Sequence, residues 1–507
     1  MTTDITAPRR AGRREWAGLA VLGLPTLLLS IDNSVLFLAL PQLSAHLGPS
    51  PNQELWIMDS YGFLIAGLLV TMGGLGDRIG RRRLLLIGAA AFGAASVVAA
   101  YSVSAEMLIA ARVLLGIAAA TLMPTSLGLI TMMFPAGKQR GLAIGVFISC
   151  FMGGAALGPV VGGVLLEAFW WGSVFLIGVP VMLLLLVAGP LVLPAHRGSG
   201  SGGLDLPSVA LSLAAVLPVV YGLKELAGDG PSWRALLAVI VGVTAGVAFV
   251  RRQRGLADPL LDLRLFGNRA FSIALGILLC GMIMQGGVYL VVGQYLQLVE
   301  GLSPLEAGLW LVTPAVAIVA GSLLAPVLAR RFSPSAVIGT GMVISAAGWL
   351  VLATAGSGTG LTLLVVGLVV GFLGCSPIGA LGTELVVGSA PPERAGSASS
   401  VSETSGELGI ALGIATLGSL LGIVYRGQVA GALPAGLPSE AVEAAEGTLA
   451  GAVTAARELP PGQAADVLDV ARTAFTSGLG AVAVAAAVLS ACLAVLAVTM
   501  LRGLRQA

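Results

Sequence analysis

Pro391-Pro-Glu-Arg394-Ala-Gly-Ser-Ala-Ser399-Ser400-Val-Ser-Glu403-Thr-Ser-Gly-Glu407-Leu408 runs without a break into Gly409-Ile-Ala-Leu-Gly-Ile-Ala-Thr-Leu-Gly-Ser-Leu-Leu-Gly422. The second part is apolar enough to lie in a bilayer, and the stretch reads as one membrane helix over 396–424 with two carboxylates inside it. Glu403 and Glu407 are four residues apart, so they share one face, a turn from each other, and Ser399 and Ser400 extend that stripe. A charge near the bilayer centre costs about 2.5–3.5 kcal/mol on insertion scales, so such acids are expected to face a protein interior or a watered cavity. The question for the rest of the chain is what an acidic helix face does there.

Composition places this helix among many. Of 507 residues, 57% are hydrophobic and only 10% charged, against about 25% charged in a soluble domain. This excludes a soluble enzyme or a nucleic-acid binder and predicts an all-α membrane protein. The 71 glycines suit close helix contacts in lipid. The four cysteines (Cys150, Cys280, Cys375, Cys492) lie far apart in apolar segments. They have no metal spacing and read as buried free thiols. The first apolar stretch is too long for a signal-peptide core and is expected to stay as a helix.

Runs of spanning length, about 20 residues each, are predicted near 16–40, 54–75, 83–103, 106–132, 140–167, 170–193, 205–225, 233–250, 270–298, 305–328, 334–355, 359–386, 396–424 and 477–501. This predicts fourteen transmembrane helices. With the N-terminus inside, 21 of the 27 Lys and Arg fall on the inner side, five fall outside, and Arg112 lies within a helix. That is the positive-inside pattern, and it puts both termini in the cytoplasm of a multi-pass protein of the cell membrane. The one sizeable polar insertion, 425–476, is then outside. Its helical periodicity predicts a hairpin of short helices between the last two spans.

Four motifs carry a resemblance. Gly73-Gly-Leu-Gly-Asp77-Arg78-Ile-Gly80-Arg81-Arg82-Arg83 lies in the loop after the second span. Arg112-Val-Leu-Leu-Gly116 lies in the fourth, and Gly153-Gly154-Ala-Ala-Leu-Gly158-Pro159-Val-Val-Gly162-Gly163 in the fifth. The first span holds Leu29-Ser-Ile-Asp32-Asn33-Ser34-Val-Leu-Phe37-Leu-Ala39-Leu40-Pro41. Together they resemble the major facilitator superfamily and, within it, the fourteen-helix drug:proton antiporters, over almost the whole chain. Ser34 and Phe37 depart from that family's usual Thr and Asn, and Ala329 stands where the second half would repeat the loop Asp. The resemblance implies a cytoplasmic tail at 1–15, a six-helix bundle at 16–195 and two inserted helices at 196–254. A second six-helix bundle follows at 255–507.

It also implies roles. The loop motif (Gly73, Asp77, Arg78, Gly80, Arg81) would be a conformational latch, and Gly154, Gly158, Pro159 and Gly162 would be the antiporter motif that marks exporters. Asp32 would be the main proton carrier, with Arg112 as its tuner or simply its structural partner. The additional acids Asp59, Glu403 and Glu407 resemble those of quaternary-ammonium and cationic-dye exporters.

Physics asks for the same set. A lipophilic cation needs an apolar cavity plus buried negative charge. Low dielectric disfavours a charged carboxylate, so a buried acid can hold a proton and release it when a cation arrives. Proton coupling is therefore expected at Asp32, Arg112 and Glu407. Substrate contact is expected at Asp59, Glu403, Glu407, Gln285, Tyr289 and Tyr61. The expected partners are protons, the lipid membrane and small lipophilic cationic drugs. The drive is the proton gradient, with no cofactor, metal, ATP or nucleic acid, in a monomer. The competing expectation is a narrow exporter of an endogenous antibiotic, siderophore or lipid.

Overall fold

The computed structural model describes residues 11–134, 137–195, 205–228, 232–256, 263–354, 361–389 and 395–500. Among them every regular element is helical: a 3-10 turn at Leu263–Gly267, a π-helical turn at Tyr295–Val299 and the α-helices. In chain order these are α1 (Arg13–Leu47), α2 (Pro51–Ile79), α3 (Arg81–Ala100), α4 (Ala105–Met133), α5 (Gly137–Ala168), α6 (Ser173–Leu176), α7 (Gly178–Val192), α8 (Leu206–Gly228), α9 (Trp233–Gly255), α10 (Arg269–Gln294), α11 (Pro304–Ala329), α12 (Pro334–Ala353), α13 (Leu361–Gly388), α14 (Ala395–Val429), α15 (Ser439–Gly447), α16 (Leu449–Ala456) and α17 (Pro461–Met500).

Twelve helices among the described residues are long and apolar enough to cross a membrane. α2 and α8 fall outside that set. α2 has the length, 29 residues, but carries Glu54, Asp59, Asp77 and Arg78. α8 has 23 residues, of which only Pro207–Val219 forms a continuous apolar stretch.

Local chemistry sets the ends. Ser50 caps α2 by accepting from the Gln53 amide at 3.3 Å, with Pro51 in the first turn, and Ser303 and Pro304 repeat the device at α11. Both satisfy amides that the first turn leaves open. α2 and α3 are separated only by Gly80, whose φ of 97° is a conformation that a side chain disfavours.

The burial pattern is that of a protein in lipid. Leu183, Val187 and Leu191 on α7 and Leu236 and Val243 on α9 are exposed. Of the apolar stretch of α9 only 11% is buried, which places it at the periphery. The four cysteines are free, but only Cys375 is buried. Cys150 and Cys280 are half-buried and Cys492 is exposed. The expectation of four buried thiols is thus corrected: in a bilayer protein an apolar segment has an outer face as well as a core.

α1 packs on α5 and α7, α2 on α4, and α3 on α4 and α7. α10 packs on α13, α14 and α17, α12 on α13 and α17, and α11 on α13. These two sets of helices meet mainly where α5 faces α11 and α2 faces α14. α8 and α9 form a hairpin, and α8 lies against both α2 and α14. There Phe63, Ala411 and Ala415 bury against Val216 and Leu217.

The contacts between the sets gather at one end. A Cβ on Gly163 would lie 2.6 Å from the Leu305 Cα, and Gly308 abuts the Pro159 carbonyl. Gln297 donates to the Leu38 carbonyl at 3.0 Å, and Leu55 seats against Gly418. This end also carries α15 and α16, where the Tyr425 hydroxyl donates to the Ala445 carbonyl at 2.8 Å.

Candidate functional site

A glycine stripe positions the first acid. Gly154, Gly158 and Gly162 recur every fourth residue along α5, so they form one flat face. α1 lies in it. A Cβ on Gly154 would strike the Leu27 carbonyl and come within 2.8 Å of the Ser30 Cβ. One on Gly158 would collide with the Ser34 hydroxyl, and one on Gly162 would lie 2.9 Å from a Val35 methyl. The motif is therefore the bed on which the Leu27–Val35 stretch rests, and Asp32 is carried on that stretch, pointing inward with 6% exposure. Pro159, on the neighbouring face of α5, presents its carbonyl to Gly308 of α11.

A second glycine brings the cation. A Cβ on Gly116 would lie 2.7 Å from the Tyr61 carbonyl, so Gly116 lets α4 approach α2. One turn earlier, Arg112 is 1% exposed and its fork is filled. Its Nη1 donates to the Asp32 carboxylate at 3.3 Å and its Nε to the Ile57 carbonyl at 3.1 Å. The guanidinium stands 4.3 Å from the centre of the Tyr61 ring. Such pairing and stacking is what a desolvated guanidinium requires.

Asp59 is fully buried on the same stretch of α2 and lies within electrostatic reach of Arg112. On the other set of helices, Glu403 and Glu407 are half-buried on α14 and interact electrostatically with each other. Gly62 sits against Ala411, one turn along from Glu407: a Cβ on Gly62 would lie 3.4 Å from the Ala411 Cβ. The Tyr61 hydroxyl feels Asp32, Arg112 and Glu407 together. Tyr61 is thus coupled electrostatically to an acid of each set.

Gln285 and Tyr289 are half-buried one turn apart on α10. Tyr289 meets Phe37 edge-on with ring centres 5.1 Å apart. The chain of rings continues from Tyr289 to Phe372 at 6.3 Å and from Phe372 to Trp349 at 5.1 Å. This apolar closure joins the two sets just beyond Asp32 along α1. Phe372 and Trp349 escaped the sequence reading because an aromatic in an apolar span gives no sign of which face it occupies.

In the loop motif, Gly80 makes the break between α2 and α3, and Gly73 lies beside Pro124 of α4. The Arg81 guanidinium lies over Gly128, where a Cβ would meet its Cζ at 2.6 Å. Arg78 buries its Nη1 without a hydrogen-bond partner among the described residues. The side chains of Asp77, Ser399 and Ser400 lie outside the described residues, as do Arg394 and the tail residues 1–10. Among the described residues no group of His, Cys, Asp and Glu could hold a metal ion.

Buried charge held within a bundle of apolar helices, with helix seams of bare glycine on either side, describes a membrane transporter. The Major Facilitator Superfamily pattern matches residues 22–414, and the chain belongs to that superfamily, which is one of transporters and not of enzymes. It is 44% identical to the multidrug efflux pump LfrA of Mycolicibacterium smegmatis over 95% of each chain. It is 38% identical to the methyl viologen resistance protein SmvA of Salmonella typhimurium, covering 91% of this chain and 93% of that one. The tetracenomycin C resistance and export protein of Streptomyces glaucescens is 31% identical over 92% of this chain and 88% of its own. Among solved structures, a bacterial homologue of the human lysosomal transporter Spinster, inward-facing and unoccupied, superposes with a TM-score of 0.67. That match covers 97% of this chain and 99% of the other at 17% identity, a likeness of fold.

Proposed function

We propose that this chain is a proton-coupled antiporter that exports lipophilic cationic antiseptics, dyes and drugs across the cytoplasmic membrane. The observation that carries the reading is the buried cluster of Asp32, Arg112 and Tyr61, which lies within electrostatic range of Glu407 on the other set of helices. LfrA and SmvA support drug efflux, and the name of SmvA supports a cationic, indeed dicationic, substrate.

Asp32 is the proton carrier. With its proton on, Arg112 loses an anionic partner and the local charge becomes positive, which disfavours a cationic guest. With its proton off, the pair is neutral, and Glu403, Glu407 and Asp59 are free to set the charge of the cavity. A cation and a proton thus compete for the same negative field, and the exchange needs no nucleotide or cofactor. Tyr61, Gln285 and Tyr289 supply the aromatic and amide walls.

In this reading α2 and α8 also cross the bilayer, giving fourteen spans. They make two six-helix bundles with α8 and α9 inserted, and both termini lie in the cytoplasm. The end carrying α15 and α16 is then outside and closed, so the central acids load from the cytoplasm. Alternating access opens the opposite end around a fixed site. In this reading the protein works as a monomer.

The deciding experiment is ethidium transport in proteoliposomes under an imposed pH gradient. Transport that ignores the gradient and protonophores overturns the reading. The similarity to the tetracenomycin exporter favours a second reading, export of a neutral antibiotic by the same fold. Neutral antibiotics that out-compete ethidium and quaternary ammonium ions in everted vesicles would establish it.

A further inference from the structure

A second carboxylate is buried away from the central site. Glu54, in the first turn of α2, is 9% exposed, and its Oε1 accepts from the Ser44 hydroxyl of α1 at 2.5 Å. It forms part of the wall of a cavity of about 80 Å³. The other walls come from α10 (Leu290, Gln294), α14 (Gly418, Arg426), Phe475 of α17 and the Gly447–Leu449 turn between α15 and α16. Among the residues lining this cavity, Arg426 is the one other formally charged group. The Tyr425 hydroxyl is already committed to the Ala445 carbonyl.

Size and position decide what this cavity can serve. A water needs about 10–15 Å³ of such volume, so several fit. A drug-sized pocket is on the order of 300–1,000 Å³, so a lipophilic cation does not. One carboxylate and one guanidinium in the same wall also make a poor metal site. The cavity straddles a seam: Leu55, next to Glu54, seats against Gly418 of α14, where a Cβ would be 3.0 Å away. α2 and α14 belong to different sets of helices, so opening this end must part them and bring outside water to Glu54.

We propose that Glu54 is a second proton-exchange site, on the outer face, whose protonation accompanies closing of the α2–α14 seam. In the open state its carboxylate takes H⁺ from a hydronium ion outside, giving the carboxylic acid and water. As the neutral acid it is buried at low cost when the seam shuts. As the anion it resists burial, since an ion desolvated without a full set of partners is costly. The inference rests on the antiport reading and adds to it a separate residue through which outer pH acts on the gate.

The test reports the gate directly. Leu55→Cys, in a background with the four native cysteines replaced, is labelled from outside with a membrane-impermeant maleimide in right-side-out vesicles. Outer pH is varied and the rates are corrected for intrinsic thiol ionisation with an exposed control cysteine. With Glu54 intact, corrected labelling rises several-fold from outer pH 6 to 8. Glu54→Gln, which keeps the shape and loses the titration, removes most of that rise, and Glu54→Asp retains it. Should Leu55→Cys fail to fold, Ser419→Cys on the opposing helix reads the same seam.

An undiminished pH response in Glu54→Gln overturns the proposal. So does a Glu54→Gln protein that loses substrate counterflow at equal pH, because that marks a structural residue. Ethidium transport by the unmutated protein that ignores the pH gradient sinks the antiport reading instead, so the two failures are distinguishable.

Discussion

Arg112 and Asp32 meet across 3.3 Å between α4 and α1, with 1% and 6% of their side chains exposed. The pair is not a lone contact. The guanidinium also holds the Ile57 carbonyl and covers the Tyr61 ring, so Arg112 ties three helices of the first set to one carboxylate. Breaking such a buried pair from one side leaves the other charge desolvated, at about 3–5 kcal/mol. Arg112→Ala is therefore expected to lower the thermal midpoint in detergent strongly and to abolish transport. Arg112→Lys keeps the charge but cannot make the forked contacts. It should recover much of the stability while transport stays impaired, measured as melting and ethidium efflux side by side.

Asp32→Asn keeps the shape of the site and removes its titration. The expected outcome is normal membrane insertion and a lowered melting temperature, because the buried Arg112 loses its anionic partner, with pH-driven ethidium accumulation reduced to the protein-free background. Proton-driven transport retained in this variant would reassign the carrier to Glu407 or Asp59.

The glycine bed under α1 gives an ordered prediction. Gly154→Ala pushes a methyl against the Leu27 carbonyl, which cannot move without moving α1 and Asp32 with it. Overpacking of this kind costs about 1–3 kcal/mol. Gly158→Ala meets first the Ser34 hydroxyl, a side-chain atom, with the Ser34 Cβ behind it at 3.0 Å. Transport should fall further in Gly154→Ala than in Gly158→Ala, and Ser34→Ala should restore part of the loss in Gly158→Ala but none in Gly154→Ala. Efflux rates normalised to protein in the membrane decide the order.

Much of this site was legible in the chain, for local reasons. A carboxylate or guanidinium in an apolar span announces itself by its cost, so Asp32, Asp59, Arg112, Glu403 and Glu407 stood out. Glycines at 154, 158 and 162 announce a close helix contact by spacing alone. Periodicity gives a face and never its partner. It could not tell that Arg112 clasps Ile57 and Tyr61, that Phe37 closes on Tyr289, or that Gly116 matters because of the Tyr61 backbone. Glu54 was invisible for a different reason. It falls at the predicted edge of its span, where an acid costs little, and only the packing of α14 and the α15–α16 turn over it shows that it is buried.

The α8–α9 hairpin carries its own pH signature at the Gly80 end. Arg252 grips Asp205 with two nitrogens, Nη2 at 2.7 Å and Nε at 3.2 Å, and the Ser208 hydroxyl bonds the same carboxylate. These hydrogen bonds, with Arg252 the largest cause, hold the Asp205 carboxyl down at about 2 from its ordinary 3.8. A depressed folded-state value means stability that is present above about pH 4 and lost as pH falls through 2. Asp205→Asn should lower the melting temperature by a few degrees between pH 5 and 8. The gap to the unmutated protein should narrow below pH 4, in melting curves taken across that range.

Glu407→Gln separates proton work from substrate work. Glu407 stands one turn from Glu403 on α14 and lies within electrostatic range of the Tyr61 hydroxyl, so it is the acid of the second set placed to sense the Asp32–Arg112 pair. A dication brings twice the charge of ethidium into the same low-dielectric space, and its binding depends more steeply on how many anions face it. If Glu407 holds substrate, Gln at this position leaves monovalent ethidium efflux within a few-fold of normal and removes efflux of a dication such as methyl viologen. If Glu407 carries protons instead, both substrates fall together and the pH dependence of the remaining flux changes. Tyr61→Phe tests the link: without the hydroxyl, the selectivity between one and two charges should weaken while Asp32 and Arg112 keep their pair. Parallel uptake of the two cations into everted vesicles, at fixed pH gradient, distinguishes these outcomes.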